Sequence, residues 1–535
     1  MLVWLVFLPL LGGFVSWLFD AYLQRSFTQI RRCDEGRVNH IGLMHKLCDK
    51  FSSFAAGWVA LIFAFSSLVI TCTFILEVLK QDDQSQNWCK VVEFDWIPLL
   101  GIRFHLVLDG LALLMILISL IVTIIAIIYS FKERPSSSGF FYFSLLLMLS
   151  AVIMLFVVAD LFLFLLLWEA TSIPVYFLIA LWGRRDSNAQ LRFNGASKFL
   201  IYTQVSSLIM LIAIVSLALV NWKLTNTWTF DSSTLMNTPI SSRVEFLIML
   251  GFLFAFLVRI PLLPFHSWFI QAHIESSTTT SIMISGLIVN TAIYGLLRLV
   301  IPLFPNASLM ITPIMLALAI ITLFYAAILC FNQNDIKRLI AYIHIGLMSL
   351  MTAVLYSGSL KAYQGMIIDI VAISLVIVGL FIISGLLVER YSTRNINHFI
   401  ALKQHVKYLS TLTLFFILAV LGVPGTANFV ANFMMFLGSY ESSTYLGILL
   451  IIGLSLLSIS LIIRIQPIFY GTTDKQVMDK KNISFRDLSL LILILVMLFA
   501  IGLYPQWLLD LFSPTISKIQ QIFVNAQINL IKGDV

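Results

Sequence analysis

Six ionisable residues fall deep inside apolar stretches of this 535-residue chain: Glu169, Arg259, His266, His273, His344 and Asp369. Glu169 lies within LFLFLLLWEATSIPVYFLIALWG at 161–183, a run long enough to cross a hydrocarbon core of about 30 Å. A charge at that depth costs about 2.5–3.5 kcal/mol on insertion scales, so such residues face a bundle interior or a wet cavity. Asp369, in GMIIDIVAISLVIVGLF, is equally expensive. Histidine titrates near neutral pH and suits a relay. A row of acids, bases and histidines across a membrane plane is what lateral proton transfer needs, by short water-bridged hops. The blander alternatives are a neutral Glu169 that ties two helices, an Arg259 that caps carbonyls freed by a helix break, and histidines that are merely hydrogen-bonded.

Other chemistries lack their residues. No nucleotide loop or haem-ligand pattern is visible. The five cysteines (33, 48, 72, 89 and 330) include no C-x-x-C pair, so neither a metal site nor a disulfide framework is expected, and no cofactor. The net charge of +7 is spread over loops between apolar runs rather than gathered in one patch, which argues against nucleic acid.

The elements that must position these groups follow from composition. The chain is 60% hydrophobic and 11% charged, with mean hydropathy +0.99, too little charge to cover a water-soluble surface. Backbone hydrogen bonding in lipid favours helices over a barrel. The expected class is an all-α polytopic membrane protein with about fourteen spans, at 2–20, 54–79, 108–131, 138–158, 160–182, 197–220, 245–276, 280–300, 309–330, 337–357, 362–388, 409–439, 445–470 and 488–511. The first segment, Met1 to Phe19, reads as a retained helix. Loops on the side opposite the termini carry 21 Lys and Arg against 8 on the termini side, so the positive-inside rule places both termini outside. Residues 513–535 read as a weakly amphipathic surface helix, touching either a neighbouring subunit or lipid. The basic loop at 24–53 reads as an inner-face site for accessory subunits.

Two spans carry breaks. Pro261 and Pro264 interrupt the seventh, and Gly422, Pro424 and Gly425 interrupt the twelfth. Broken helices at matching places in two halves point to an inverted-repeat transporter with polar chemistry near the midplane. The expected divisions are 1–94 (N-terminal helices and basic loop), 95–301 (first half), 302–470 (second half) and 471–535 (last span and C-terminal segment). Lys198 and Arg298 lie near span ends, where snorkelling to the interface explains them.

The motifs as a set resemble a known family. DWIPLLGIRFHLVLDGL (95–111), LLLWEATSIPVYFLIALWG (165–183), ASKFLIYTQ (196–204), RIPLLPFHSWFIQAHIESSTTTSIMISGLIVNTAIYGLLRLV (259–300), NDIKRLIAY (334–342) and LGVPGTANFVANFMMFLGS (421–439) are similar to the chain 4 family of NADH–ubiquinone oxidoreductase, respiratory complex I. Its members are in turn similar to cation/proton antiporters. The resemblance implies fourteen helices in the membrane arm, other membrane-arm and accessory subunits as partners, and proton translocation coupled to quinone reduction elsewhere. No direct NADH or quinone binding is implied. Heavy phenylalanine use, 43 residues, is what AT-rich coding produces and points to the mitochondrial inner membrane, with a bacterial plasma membrane as the alternative.

The family path uses a fifth-helix glutamate, a lysine at the seventh-helix break, an eighth-helix lysine, histidines in the tenth and eleventh helices and an acid in the twelfth. Glu169 matches the first position. Arg259 stands at the second, keeping charge but not readily giving up a proton. The remaining positions fall on Asn290, Leu347, Ile373 and Asn432, which do not titrate. His344 and Asp369 lie about one turn before the two histidine positions, on similar faces. Three readings follow: a pumping subunit rewired through Glu169, Asn290, His344 and Asp369, with His266, His273 and Asn432 supporting; a structural subunit retaining a Glu169–Arg259 pair; and a stand-alone cation/proton antiporter. The first is preferred, because an idle acid at membrane depth is expensive.

Overall fold

The computed structural model describes residues 1–33, 41–80, 90–133, 135–184, 188–399, 407–470 and 483–532. Cys89 and residues 34–40 of the basic loop at 24–53 lie outside them; the rest of that stretch continues the first helix and begins the second. Among the described residues the helices fall into fourteen spans, two of them broken. The first six are Leu2–Cys33, Ile41–Lys80, Gly110–Glu133, Ser138–Val157, Leu161–Ala180 and Ala189–Thr225. The seventh is split into Ser242–Arg259 and Ser267–Glu275. The eighth to eleventh are Thr278–Leu303, Pro305–Phe331, Ile336–Leu355 and Leu360–Tyr391. The twelfth is split into Lys407–Leu421 and Ala427–Ser442, and Thr444–Tyr470 and Phe485–Leu503 complete the set. Among the described residues, 12 helices are long and apolar enough to cross a membrane unaided. The two crossings absent from that set are the seventh and twelfth, whose halves are short or carry charge.

Acidic and hydroxyl side chains start several spans where backbone donors would be orphaned. Asp109 accepts from Ala112 N, Asp160 from Leu163 N, Asp335 from Lys337 N, and Ser277 from Thr280 N. The breaks are satisfied locally. At the seventh, Trp268 Nε1 donates to the freed Val258 carbonyl at 2.8 Å, and Leu263 N reaches Thr322 Oγ1 in the ninth span. At the twelfth, Gly422 and Gly425 adopt φ of 71° and 97°, a left-handed backbone that glycine enters without a Cβ clash.

The burial of the spans decides where chemistry can lie. The most apolar stretch of the eleventh is wholly buried and that of the eighth nearly so, whereas the first and second are mostly exposed on the described surface. The eleventh packs against the second half-helix of the twelfth and touches the third, eighth, tenth and fourteenth. It is the axis of the bundle.

The ends of several spans are bound together on one side of the bundle. Lys132 of the third bridges Glu389 of the eleventh at 2.8 Å and the buried Asp487 of the fourteenth at 2.9 Å. Glu133 accepts from Thr278 N at the start of the eighth, and Ile336 N of the tenth donates to Arg394 O. These convergent ends are the ones that the charge count assigned to one face.

One element was not foreseen and one boundary needs correction. The all-α bundle carries a small hairpin, Lys90–Ile97 paired antiparallel with Ile102–Leu108 and docked through Ala159 N to His105 O. Alternation in KVVEFDWI is a strand period that the apolar background concealed. The fourteenth span ends at Leu503 rather than 511. Pro505 follows, and the terminal helix is Gln506–Lys532 rather than beginning at 513, because proline lacks the donor needed to continue. Leu508, Leu511, Phe512, Ile516, Ile519 and Phe523 of that helix are buried, and it packs on the third, ninth and eleventh spans of its own chain.

Candidate functional site

Glu169 lies halfway along the fifth span and is half-buried. Gln204 of the sixth span donates its side-chain amide to Glu169 Oε2. Arg259, the last residue before the break of the seventh, is 1% exposed. Its Nη2 donates to the Trp168 carbonyl at 3.1 Å and to Ser172 Oγ at 3.0 Å, and its Cζ lies 3.5 Å from the centre of the Trp168 ring. The guanidinium is therefore clamped one residue from the carboxylate by a hydroxyl, a carbonyl and an aromatic face, a stacking that suits arginine. The expected Glu169–Arg259 pair is corrected in form: no ion pair within 4 Å joins them, and Arg259 acts on Glu169 only as a nearby charge.

The second cluster was only partly foreseen. His273, on the second half-helix of the seventh span, is fully buried between Phe269, at 4.4 Å edge-on, and Phe381, stacked at 4.7 Å. Its Nε2 meets Ser285 Oγ at 3.2 Å. His344 of the tenth span is also fully buried, and its ring contacts the same Phe269 at 5.4 Å. His273 Nδ1 and both His344 ring nitrogens have no hydrogen-bond partner among the described residues. Buried polar atoms are nearly always paired, so these three nitrogens are exceptions in the core. His273 and His344, on different spans, thus share contact with Phe269.

Two separate contacts tie the eleventh span to its neighbours, one to the eighth and one to the twelfth. Asn290 Nδ2 donates to Gly286 O and to Ser374 Oγ, each at 2.7 Å. Asp369 is 1% exposed, and Asn428 Nδ2 donates to its Oδ1 at 3.3 Å. Asp369 Oδ2, Asn290 Oδ1 and Asn428 Oδ1 have no partner among the described residues. The eighth span is a π-helix over Ile284–Ile288. Its i→i+5 ladder adds a residue to the turn, bringing Ser285 and Asn290, five apart, towards one face. Ser281, Ser285 and Asn290 thus form a polar row leading from the histidines to Ser374.

The remaining candidates are peripheral. His266 lies at the seventh-span break, 3.3 Å from Tyr325 Oη. Asn432 is buried beside the break of the twelfth span, where a Cβ on Gly422 would fall 2.8 Å from its Nδ2. Arg298 does not snorkel: its Nη1 pairs with Asp109 at 3.0 Å. Burial pushes the Asp160 carboxyl, at the outer start of the fifth span, above its usual range, although the Leu163 and Arg103 amides oppose the shift. Gln204, Trp168, Ser172, Ser285, Ser374, Asn428 and Lys337 were not singled out from sequence. The spacing of four between Ser281 and Ser285, and between Asn428 and Asn432, was the signal available for two of these contacts.

The family described as NADH:quinone oxidoreductase/Mrp antiporter, TM, matches residues 158–458. NADH-quinone oxidoreductase subunit M of Escherichia coli K12 is 38% identical over 531 residues, covering 98% of this chain and 99% of that one. The subunit M of Pseudomonas aeruginosa is 35% identical over 539 residues, 99% of each. Among solved structures, a chain of respiratory complex I from Thermus thermophilus superposes with a TM-score of 0.81 over 98% of this chain and 100% of that one, at 23% identity. That likeness establishes the shared fold.

Proposed function

Because the chain belongs to the NADH:quinone oxidoreductase/Mrp antiporter family of membrane subunits, we propose that it translocates protons in the membrane arm of complex I along a rewired path. The path runs from Glu169, biased by Arg259, to the His273–His344 pair, then by way of Ser285, Asn290 and Ser374 to Asp369 and Asn428. The observation that carries this reading is the set of buried polar atoms without a partner among the described residues at His273, His344, Asn290, Asp369 and Asn428, on the seventh, tenth, eighth, eleventh and twelfth spans. A chain kept only as scaffold has no use for that many unpaired polar atoms in its core.

Proton translocation of this kind is an activity of the assembled NADH:quinone oxidoreductase, with neighbouring membrane-arm subunits as partners. We assign the electron-carrying cofactors, NADH and quinone to other subunits. The two antiporter-like halves are read as 95–301 and 302–470, each with one broken helix. The protein is a multi-pass membrane protein. The relatives at 38% and 35% identity are bacterial, which favours a bacterial plasma membrane over the mitochondrial one.

One observation favours the structural alternative. Arg259 is held by Trp168 and Ser172 instead of by Glu169, as a fixed strut would be. The deciding experiment is the proton-to-electron stoichiometry of the purified complex in sealed vesicles. A value equal to that of relatives with the full lysine and acid set supports the rewired path. A value short by one proton per NADH means the fold has been kept and the pump lost.

A further inference from the structure

We infer that Lys337 is an additional proton carrier of this subunit, linking the inner face to His273 and His344; this rests on the proton-translocating reading above. Lys337 is the second residue of the tenth span, directly after the Asp335 cap. Its sequence context, NDIKRL, reads as a solvated loop lysine. The structure buries it instead, 3% exposed.

The Lys337 Nζ donates to the Ser276 carbonyl at 2.8 Å and lies 3.5 Å from Ser281 Oγ. Among the described residues, no carboxylate comes within 4 Å of it. Arg394, Glu133, Asp335 and Arg184 are the charged groups around it at longer range. Buried amines are expected to be paired. A lysine held by neutral acceptors alone is one that exchanges its proton, whereas an arginine is not.

Hydroxyls lead from this amine to the histidines. Ser281 Oγ meets Ser276 Oγ at 2.7 Å, and Ser276 Oγ donates to the His273 carbonyl at 3.2 Å. One turn beyond Ser281, Ser285 touches His273 Nε2. In the step inferred, neutral Lys337 takes a proton from inner-face water to become ammonium. An N–H bond then breaks as the proton passes along the serine hydroxyls to an imidazole nitrogen, and the amine is returned neutral. No oxidant or reductant is involved.

The test uses the whole complex in sealed vesicles with Lys337→Arg and Lys337→Gln. Arginine retains both the charge and the donor to Ser276, so a merely structural lysine is rescued by it. The expected result is that both variants assemble and transfer electrons but fall short by one proton per NADH. Full stoichiometry in Lys337→Arg overturns the inference. If neither variant assembles, Ser281→Ala decides: several-fold slower proton release supports the route, and an unchanged rate overturns it. Asp369→Asn in parallel separates the two proposals. Loss of pumping there with full pumping in Lys337→Arg removes only the lysine, whereas full pumping in both removes the underlying reading.

Discussion

Asp369 of the eleventh span and Asn428 at the start of the second half-helix of the twelfth meet at 3.3 Å in the centre of the bundle. Each keeps one side-chain oxygen without a partner among the described residues. In the proposed path this acid is the group that exchanges a proton towards the twelfth-helix break. Asp369→Asn preserves shape and the amide contact while removing titration. Assembly and quinone reduction should persist, and the protons moved per NADH in vesicles should fall; unchanged pumping would sink the rewired path.

The clamp on Arg259 separates charge from packing. Trp168→Leu removes the aromatic face, worth about 2 kcal/mol for a desolvated cation. It should lower the thermal midpoint of the complex while leaving its proton stoichiometry unchanged. Arg259→Gln removes the charge beside Glu169 and should reduce both. Identical behaviour of the two variants would show that Arg259 serves packing alone.

Ser374 is the hydroxyl that joins Asn290 to the eleventh span. Ser374→Ala leaves Asn290 Nδ2 only the Gly286 carbonyl, a loss of about 1 kcal/mol for one buried hydrogen bond. Proton transfer, measured as the initial rate of vesicle acidification or alkalinisation, should slow two-fold or more with electron transfer intact. Asn290→Asp should assemble less well, since it adds a buried acid and removes the donor. A rate of proton transfer unaffected by Ser374→Ala would place the path elsewhere.

The outer end offers a pH test. The Asp160 carboxyl is held above its ordinary value of 3.8 chiefly by burial, so the folded chain binds that proton more tightly than the unfolded one. Stability from this group is therefore present at low pH and is lost as pH rises from about 4 through the raised value. Asp160→Asn keeps a good helix cap and does not titrate. Relative to the wild type, the variant should gain thermal stability as pH rises through that window. Parallel melting curves across the window would contradict this.

Much of the architecture was legible because lipid leaves the backbone few options. Runs of apolar residues and the proline and glycine interruptions placed the spans and the breaks. The hairpin at 90–108 escaped because its alternating pattern sits between two long apolar runs. The end of the last span was overrun because hydropathy continues through Tyr504 and Pro505 into the buried row of the terminal helix. Glu169, Arg259 and Asp369 stood out as ionisable residues in apolar company, and Asn290 only through the family resemblance.

What the sequence determined by itself, then, is which residues are costly at membrane depth and in which span each lies, since cost depends on composition and length. Only the tertiary structure decided which of them meet. His273 and His344 share Phe269 from different spans, Arg259 turns from Glu169 to Trp168 and Ser172, and Lys337 is drawn from an apparent loop into the core. The physical reason is that contact between spans depends on helix rotation and on the register shift of the π segment at Ile284–Ile288. Packing of the whole bundle sets both, and no single stretch of the chain encodes either.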